Sequence, residues 1–367
     1  MRIIATGTLA RGRAGTPRAT FTFPCLLALP NGELLATCRT GSTKDSEDET
    51  VELYRSPDGG RTWEGPSRPF GEPHAGLKLC YLTSVTPDRL IAAAMWVDHT
   101  AHPGAPLFNP QTEGCLPMAI LLAESADSGV SWTPWRTVPM PADLGPPSLT
   151  SPLVPLPAGA LAMSVESNKA YDDASHWRQR VVLLRSDDGG RSWGEPLVTG
   201  EDPSRRIFNW DQRLATASDG RLAAFVWTYD RQAQRYRNIH RRVSHDGGAS
   251  WSAAEDLGFA DQAGRPAVLG DGRVLLPYVD RFASRAIRIR VAPDVAAPFD
   301  AASDMVIYQH GAAPTGASDD TGALLAEMGV WSFGLPYAEV LPDGEVLVAY
   351  YAGAGETLDI CWARLEV

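Results

Sequence analysis

Four short stretches of this chain repeat one pattern: Ser56-Pro57-Asp58-Gly59-Gly60-Arg61-Thr62-Trp63, Ser125-Ala126-Asp127-Ser128-Gly129-Val130-Ser131-Trp132, Ser186-Asp187-Asp188-Gly189-Gly190-Arg191-Ser192-Trp193 and Ser244-His245-Asp246-Gly247-Gly248-Ala249-Ser250-Trp251. The shared form is Ser-x-Asp-x-Gly-x-Ser/Thr-Trp. Its Asp is suited to accept hydrogen bonds from backbone N–H groups of its own turn. Its Gly supplies a backbone angle that a side chain resists, and its Trp is a large apolar plug beside the turn. Recurrence of so specific a pattern marks a repeat architecture. A decayed fifth copy occupies Ala292-Pro293-Asp294-Val295-Ala296-Ala297-Pro298-Phe299.

A second repeat runs beside the first. Six times an apolar strand meets a tight polar turn and a second apolar strand follows, with turns at Asn31-Gly32, Pro87-Asp88, Pro157-Ala158-Gly159, Asp219-Gly220, Asp271-Gly272 and Asp343-Gly344. Asp-Gly or Asn-Gly between apolar runs is a strong hairpin signal. Each unit continues through a polar loop to a third strand, such as Val51–Tyr54, Met118–Leu122 or Arg180–Leu184, then the Asp-containing turn and a fourth strand. The reading is all-β: a six-bladed β-propeller of four-stranded antiparallel blades, a single domain over residues 1–367. The sixth unit lacks the turn motif. Its third strand is expected at Leu358–Ala363, and its missing outer strand at Ile3–Leu9, so that the N-terminal strand closes the ring and hides sheet edges.

The Ser-x-Asp-x-Gly-x-Ser/Thr-Trp pattern is similar to the Asp-box, or BNR repeat, of the sialidase-like β-propellers, and the chain resembles that superfamily over nearly its whole length. The resemblance implies the propeller scaffold and a carbohydrate-active site. It does not extend to sialic-acid chemistry. Sialidases open the first blade with Arg-Ile-Pro, whereas the matching stretch here, Phe21-Thr22-Phe23-Pro24-Cys25-Leu26, has no Arg before Pro24. The place of the sialidase catalytic Glu, ahead of an inner Asp-Gly turn, falls on Asp211. The Arg expected after that inner strand is replaced around Trp227-Thr228, and the expected nucleophilic Tyr falls near Leu335-Pro336, with Tyr337 out of register. Arg39 matches an arginine found after the first inner hairpin. A true exo-sialidase is therefore not expected.

Composition narrows the partners. The net charge of −11 argues against non-specific binding to nucleic acid or anionic lipid, and no apolar run reaches transmembrane length. The five cysteines, Cys25, Cys38, Cys80, Cys115 and Cys361, are odd in number and scattered, which reads as buried free thiols in a reducing interior. The first residues show no secretion signal, so a cytoplasmic location is expected.

Blade topology puts the stereotyped turns at one end and the long irregular loops at the other, where function concentrates on a rigid scaffold. The first such loop carries Arg39 and the acidic run Asp45, Glu47, Asp48 and Glu49, which reads as a solvated loop. The second, Trp96 to Pro117, is long enough for a lid. Its Asp98, His99 and His102 have ligand chemistry, but no Cys/His spacing supports zinc, so no metal and no cofactor are expected. The third, Glu166 to Arg180, gathers acids, His176, aromatics and Arg178. Its Glu166 follows an inner strand and belongs near the pocket wall, or else in an ion pair with Lys169. The crossing Arg205–Arg213 places Asp211 among Asn209, Trp210, Gln212 and Arg213, and Trp227, Thr228, Tyr229, Asp230 and Arg231 follow. His240 reads as a satisfied core histidine. Blade five adds Asp261, Gln262, Arg265, Asp280 and Arg281. The last crossing and blade add His310, Glu327, Trp331, Ser332, Tyr337, Tyr350 and Tyr351.

Aromatic plates suit sugar rings, and guanidinium groups fork onto carboxylates or sulfates. The expected partner is a small-molecule carbohydrate, and this composition suits an acidic one. Two carboxylates, one protonated and one charged, suffice for hydrolysis. The catalytic candidates are Glu166, Asp211 and His176. The binding candidates are Arg39, Arg178, Asn209, Trp210, Arg213, Trp227, Asp230, Gln262, Arg281, Trp331 and Tyr337. Three functions stay open: a glycoside hydrolase using Glu166 and Asp211; a uronate-directed lyase using His176 with Arg178 or His240 with Tyr229; and a non-catalytic sugar-binding propeller.

Overall fold

The computed structural model describes residues 1–311, 329 and 331–367. Strand β1 (Arg2–Ala10) is followed by a first antiparallel group, β2 (Thr20–Ala28), β3 (Leu34–Gly41), β4 (Thr50–Ser56) and β5 (Glu64–Ser67). The second group is β6 (Leu77–Thr86), β7 (Arg89–Val97), β8 (Met118–Ser125) and β9 (Arg136–Thr137). The third is β10 (Ser148–Leu149), β11 (Val154–Pro155), β12 (Leu161–Glu166), β13 (Arg180–Ser186) and β14 (Leu197–Glu201). The fourth is β15 (Ile207–Thr216), β16 (Leu222–Asp230), β17 (Arg235–Tyr236), β18 (His240–Ser244) and β19 (Glu255–Asp256). The fifth is β20 (Gln262–Ala263), β21 (Ala267–Val268), β22 (Val274–Asp280), β23 (Ala286–Ala292) and β24 (Asp300–Gln309). The last strands are β25 (Phe333–Val340), β26 (Val346–Ala354) and β27 (Thr357–Glu366).

The two ends of the chain meet. β1 pairs antiparallel with β27, from Arg2↔Glu366 to Ala10↔Ile360, and the single parallel pair Thr20↔Leu358 joins β27 to β2. The N-terminal strand thus supplies the outer strand that the last group lacks. Among the described residues, no helix is long and apolar enough to cross a membrane.

The four repeated turns each link a third strand to a fourth, and all four are wired alike. The N–H of the motif's invariant Gly, four residues after the Ser, donates to the Ser hydroxyl at 2.7–2.9 Å. One Asp oxygen accepts the N–H of the Ser/Thr at 2.8–2.9 Å, and the other accepts its hydroxyl at 2.5–2.6 Å. The decayed copy keeps only the Asp function: Asp294 accepts from the N–H groups of Ala296 and Ala297 at 2.7 and 2.8 Å.

These turns also join neighbouring groups. A Cβ on Gly129 would lie 2.7 Å from Leu35 of the first group, and one on Gly248 2.7 Å from Leu183 of the third. Gly60 lies against Leu347 of β26 in the same way. An arginine of one group bonds a turn carbonyl of the next: Arg55 to Ser128 and Arg89 to Gly189 at 2.7 Å, and Arg364 of β27 to Gly59 at 2.5 Å. In the fourth group the buried Arg241 donates to the carbonyls of Val295, Ala296 and Ala297, filling the turn that has lost its Ser and Trp.

Candidate functional site

The first strands of the groups are interrupted at corresponding places. The register shifts between Thr22 and Cys25 in β2, Leu77 and Leu79 in β6, Trp210 and Arg213 in β15, and Gly334 and Tyr337 in β25. In the third and fifth groups the strand breaks in two, as β10/β11 and β20/β21. A β-bulge re-aims a side chain, and here the interruptions aim Phe23, Lys78, Thr150, Asp211 and Leu335 into one cavity of about 170 Å³. Phe23, Asp211 and Leu335 hold left-handed backbone, with φ of 50°, 55° and 48°. Asp tolerates this region, but Phe and Leu do not favour it, so Phe23 and Leu335 are strained positions on the cavity wall.

The wall is mostly aromatic. Phe23, Phe108, Trp177, Trp210, Trp227, Trp331 and Tyr351 line it. Trp210 stacks on Tyr229 at 5.3 Å, and Trp227 on Tyr236 at 4.4 Å. Leu107 and Phe108 enter from the segment 98–117 between β7 and β8. This segment is fastened to neighbouring loops: Thr112 and Asn109 donate to the Tyr171 carbonyl at 2.5 and 3.1 Å, and Arg231 grips both oxygens of Glu113 at 2.6 and 2.7 Å. These bonds hold Leu107 and Phe108 at the cavity wall.

At the polar floor Glu166 ends β12 with 8% of its surface exposed, and its Oε1 accepts the Asp211 N–H. Burial pushes the Glu166 carboxyl up to about 8, and the neighbouring Asp211 charge pushes the same way. Asp211 is ion-paired: Oδ1 accepts from Arg213 at 2.7 Å and Oδ2 from Gln262 at 2.6 Å. Two adjacent carboxyl groups therefore sit in different surroundings, one desolvated and one paired. That asymmetry separates acid from base in general acid–base chemistry. Lys169 donates to the Ser175 carbonyl at 2.7 Å rather than pairing with Glu166.

The acidic run after β3 corrects the sequence expectation. Glu47 and Asp48 are exposed as a solvated loop would have them, but Glu49 is 1% exposed and bonded to the fully buried Arg39 at 2.7 Å. Asp45 ion-pairs with Lys78, which is 4% exposed. Burial pushes the Glu49 carboxyl up to about 7 and lowers the Lys78 and Lys44 ammonium groups well below the usual lysine value. Lys44 lines the cavity and donates to the Trp331 carbonyl at 2.9 Å and the Tyr351 hydroxyl at 3.3 Å.

Of the residues singled out in the sequence, Asp45, Glu166, Trp210, Asp211, Trp227, Gln262, Trp331 and Tyr351 line the cavity. Arg213 and Arg281 are buried behind it, Arg213 on Thr150 and Tyr81, Arg281 on Phe333 and Gln262. The others do not reach it. His176 lines a separate polar hollow with Glu113, Lys169 and Arg231, because the buried Trp177 turns inward and leaves its neighbour outside. Arg178 forks onto Glu201 at 2.6 and 3.0 Å on the surface. Arg39 is spent on Glu49. Asn209 exchanges backbone bonds with the Gln179 side chain. Asp230 is gripped by Arg206 at 2.8 and 2.6 Å, which holds it down at about 2. Tyr337 is buried, stacked on Tyr81 at 6.4 Å. His240 lies on β18, 3.9 Å from Asp256. Asp98 accepts from Thr100 and His102 packs on Tyr171. Among the described residues no group of three or more His, Cys, Asp or Glu is placed to hold a metal. Glu327 lies outside the described residues.

Lys44, Lys78, Phe23, Phe108 and Leu335 were not singled out as site residues. Two had a signal: Phe23 and Leu335 each precede a proline inside a strand, and proline within a strand marks a bulge.

No protein-family model and no curated protein matches the chain. Solved structures do. A protein of unknown function from Dyadobacter fermentans DSM 18053 is 22% identical over 100% of this chain and 99% of its own, with a TM-score of 0.76. The alpha-L-arabinanase of Penicillium chrysogenum, complexed with arabinobiose, is 16% identical over 100% of this chain and 99% of its own, with a TM-score of 0.70. The intramolecular trans-sialidase of Ruminococcus gnavus, in complex with oseltamivir carboxylate, is 14% identical over 100% and 98%, with a TM-score of 0.67. At these identities the likeness establishes the scaffold: this chain has the β-propeller fold shared by sialidases and arabinanase.

Proposed function

We propose that the protein is a glycoside hydrolase whose cavity takes a terminal or small sugar, with Glu166 as proton donor and Asp211 as the charged partner. The observation that carries this reading is the pair itself. Glu166, desolvated and held protonated up to about pH 8, sits against the ion-paired Asp211 at the floor of an aromatic-walled pocket. A protonated acid delivers its proton to a leaving oxygen, while a carboxylate on the same site attacks the anomeric carbon or activates water. The aromatic plates supply stacking faces for a sugar ring. Lys44 beside the same cavity offers an N–H donor to a polar substituent. Arabinobiose, bound to one of the neighbours, fits a carbohydrate partner, and the oseltamivir carboxylate bound to another fits one that carries a carboxylate.

Six four-stranded blades, closed by β1 on β27, form the scaffold of this reading. A cytoplasmic location goes with it, because the cysteines are all free thiols.

The lyase reading is less well supported. His176 and Arg178 face a surface hollow and the solvent, and His240 lies on a third strand, so neither set offers the cavity a proton acceptor. Screening the purified protein against nitrophenyl glycosides and uronate oligosaccharides tests the proposal. Nitrophenol release by the wild type, reduced by a factor of about 10² or more in Glu166→Gln and Asp211→Asn, is the expected result. An unsaturated uronide absorbing in the near ultraviolet identifies a lyase, and ligand affinity with no turnover identifies a binding module.

A further inference from the structure

We propose that Gln262 is a positioning residue that fixes the Asp211 carboxylate, rather than a contact for the sugar. The inference rests on the hydrolase reading of Asp211. Gln262 lies at the start of β20 with 4% of its surface exposed, and both ends of its amide are engaged by protein. Its Oε1 accepts from the Arg281 guanidinium at 2.7 Å, and its Nε2 donates to Asp211 Oδ2 at 2.6 Å. Arg281 can only donate, so the amide has a single usable orientation: the oxygen must face Arg281 and the N–H₂ must face Asp211. Arg281 is itself immobile, donating to the Phe333 carbonyl at 2.7 Å and lying 4.0 Å from the Trp331 ring centre.

The consequence is a carboxylate held from two sides. Arg213, on the same strand, takes Oδ1 at 2.7 Å and is anchored on Thr150 at 2.5 Å and Tyr81 at 2.8 Å. Gln262, from the next group, takes Oδ2. A carboxylate with only the Arg213 contact is free to turn about its Cβ–Cγ bond, and Gln262 removes that freedom. Reaction rates depend steeply on such placement.

Two variants test this, with kinetics and with a readout that needs no substrate. Gln262→Met keeps the length and removes both polar contacts. It is expected to lower kcat roughly tenfold or more while KM stays within about twofold, since placement of a reacting group is lost and binding is not. Gln262→Glu sets a second carboxylate against Asp211, whose repulsion raises the Asp211 carboxyl to the extent that Arg281 and Arg213 leave it unbalanced. The rising limb of its pH–rate profile is expected to move to higher pH, and the ¹³C titration of the Asp211 carboxyl to move up with it. A KM raised tenfold with kcat unchanged in Gln262→Met overturns the inference by making Gln262 a sugar contact. So does an Asp211 titration unchanged in Gln262→Glu. If the wild type hydrolyses no glycoside, the hydrolase reading fails, and the titration alone still decides whether Gln262 governs Asp211.

Discussion

Glu166 shows how one buried side chain links chemistry to stability. Its carboxyl stays protonated in the folded protein up to about pH 8, and burial raises Glu49 and Asp261 to about 7. In the unfolded chain all three ionise near the usual carboxylate value. Between those values these three acids bind more protons in the folded state than in the unfolded one, so their contribution to stability falls as pH rises, while the lowered Lys44 and Lys78 act the other way. The change in urea midpoint from pH 5 to pH 8.5 is expected to be less negative in Glu166→Gln than in the wild type, and equal changes contradict the burial of this acid. Asp211 adds a kinetic consequence. Removing its charge in Asp211→Asn removes one cause of the raised Glu166 value, so the ¹³C titration of Glu166 is expected to move down. An unchanged titration indicates that the two groups do not sense one another.

The repeated turns are the element whose chemistry was most legible. Ser, Asp and Gly at fixed spacing read directly as a self-bonded turn, and the hydrogen bonds follow that reading in all four copies. The Ser131 hydroxyl and N–H hold Asp127 down at about 2, and the Ser250 hydroxyl and N–H do the same for Asp246. A depressed carboxyl contributes stability above its unfolded value and loses it as pH falls through the folded one, so the turns loosen between about pH 4 and pH 2. Gly129 tests the packing role. With φ of 82° and Leu35 2.7 Å from any added Cβ, Gly129→Ala is expected to cost about 1–2 kcal/mol from the backbone alone, with the clash adding to it. A loss below ~0.5 kcal/mol in chemical denaturation contradicts that contact. The bulged first strands were the least legible element. A bulge is a slip of register against a partner, and register is a property of two strands, so Lys78 and Phe23 carry no pattern of their own that points inward. Only the prolines after Phe23 and Leu335 betray it.

At the scale of the molecule, the repeats foretold four-stranded sheets on a propeller scaffold, where the structure has five strands in the third, fourth and fifth groups, and they placed Glu166 and Asp211 at one end. They did not foretell which neighbour of an inward aromatic points outward, and so His176 and Arg178 were assigned to a cavity that Trp177 enters instead. Nor did they reveal the arginines that bind each group to the next. Arg364, 2% exposed, reaches from the last group to Gly59 of the first and pairs with Asp343 and Glu345. Arg364→Ala removes the buried guanidinium while Asp343 and Glu345 stay open to solvent, and is expected to cost about 1.5 kcal/mol, read as a lowered denaturation midpoint; a change under ~0.5 kcal/mol denies that this junction matters. The central claim is that distant segments converge to make Glu166 an acid beside a charged Asp211. The pH dependence of kcat/KM on a glycoside that the wild type cleaves tests it most directly. A falling limb near pH 8 that shifts to lower pH in Asp211→Asn is the predicted result. Activity that persists undiminished above pH 9, or a limb near pH 8 retained in Glu166→Gln, contradicts it.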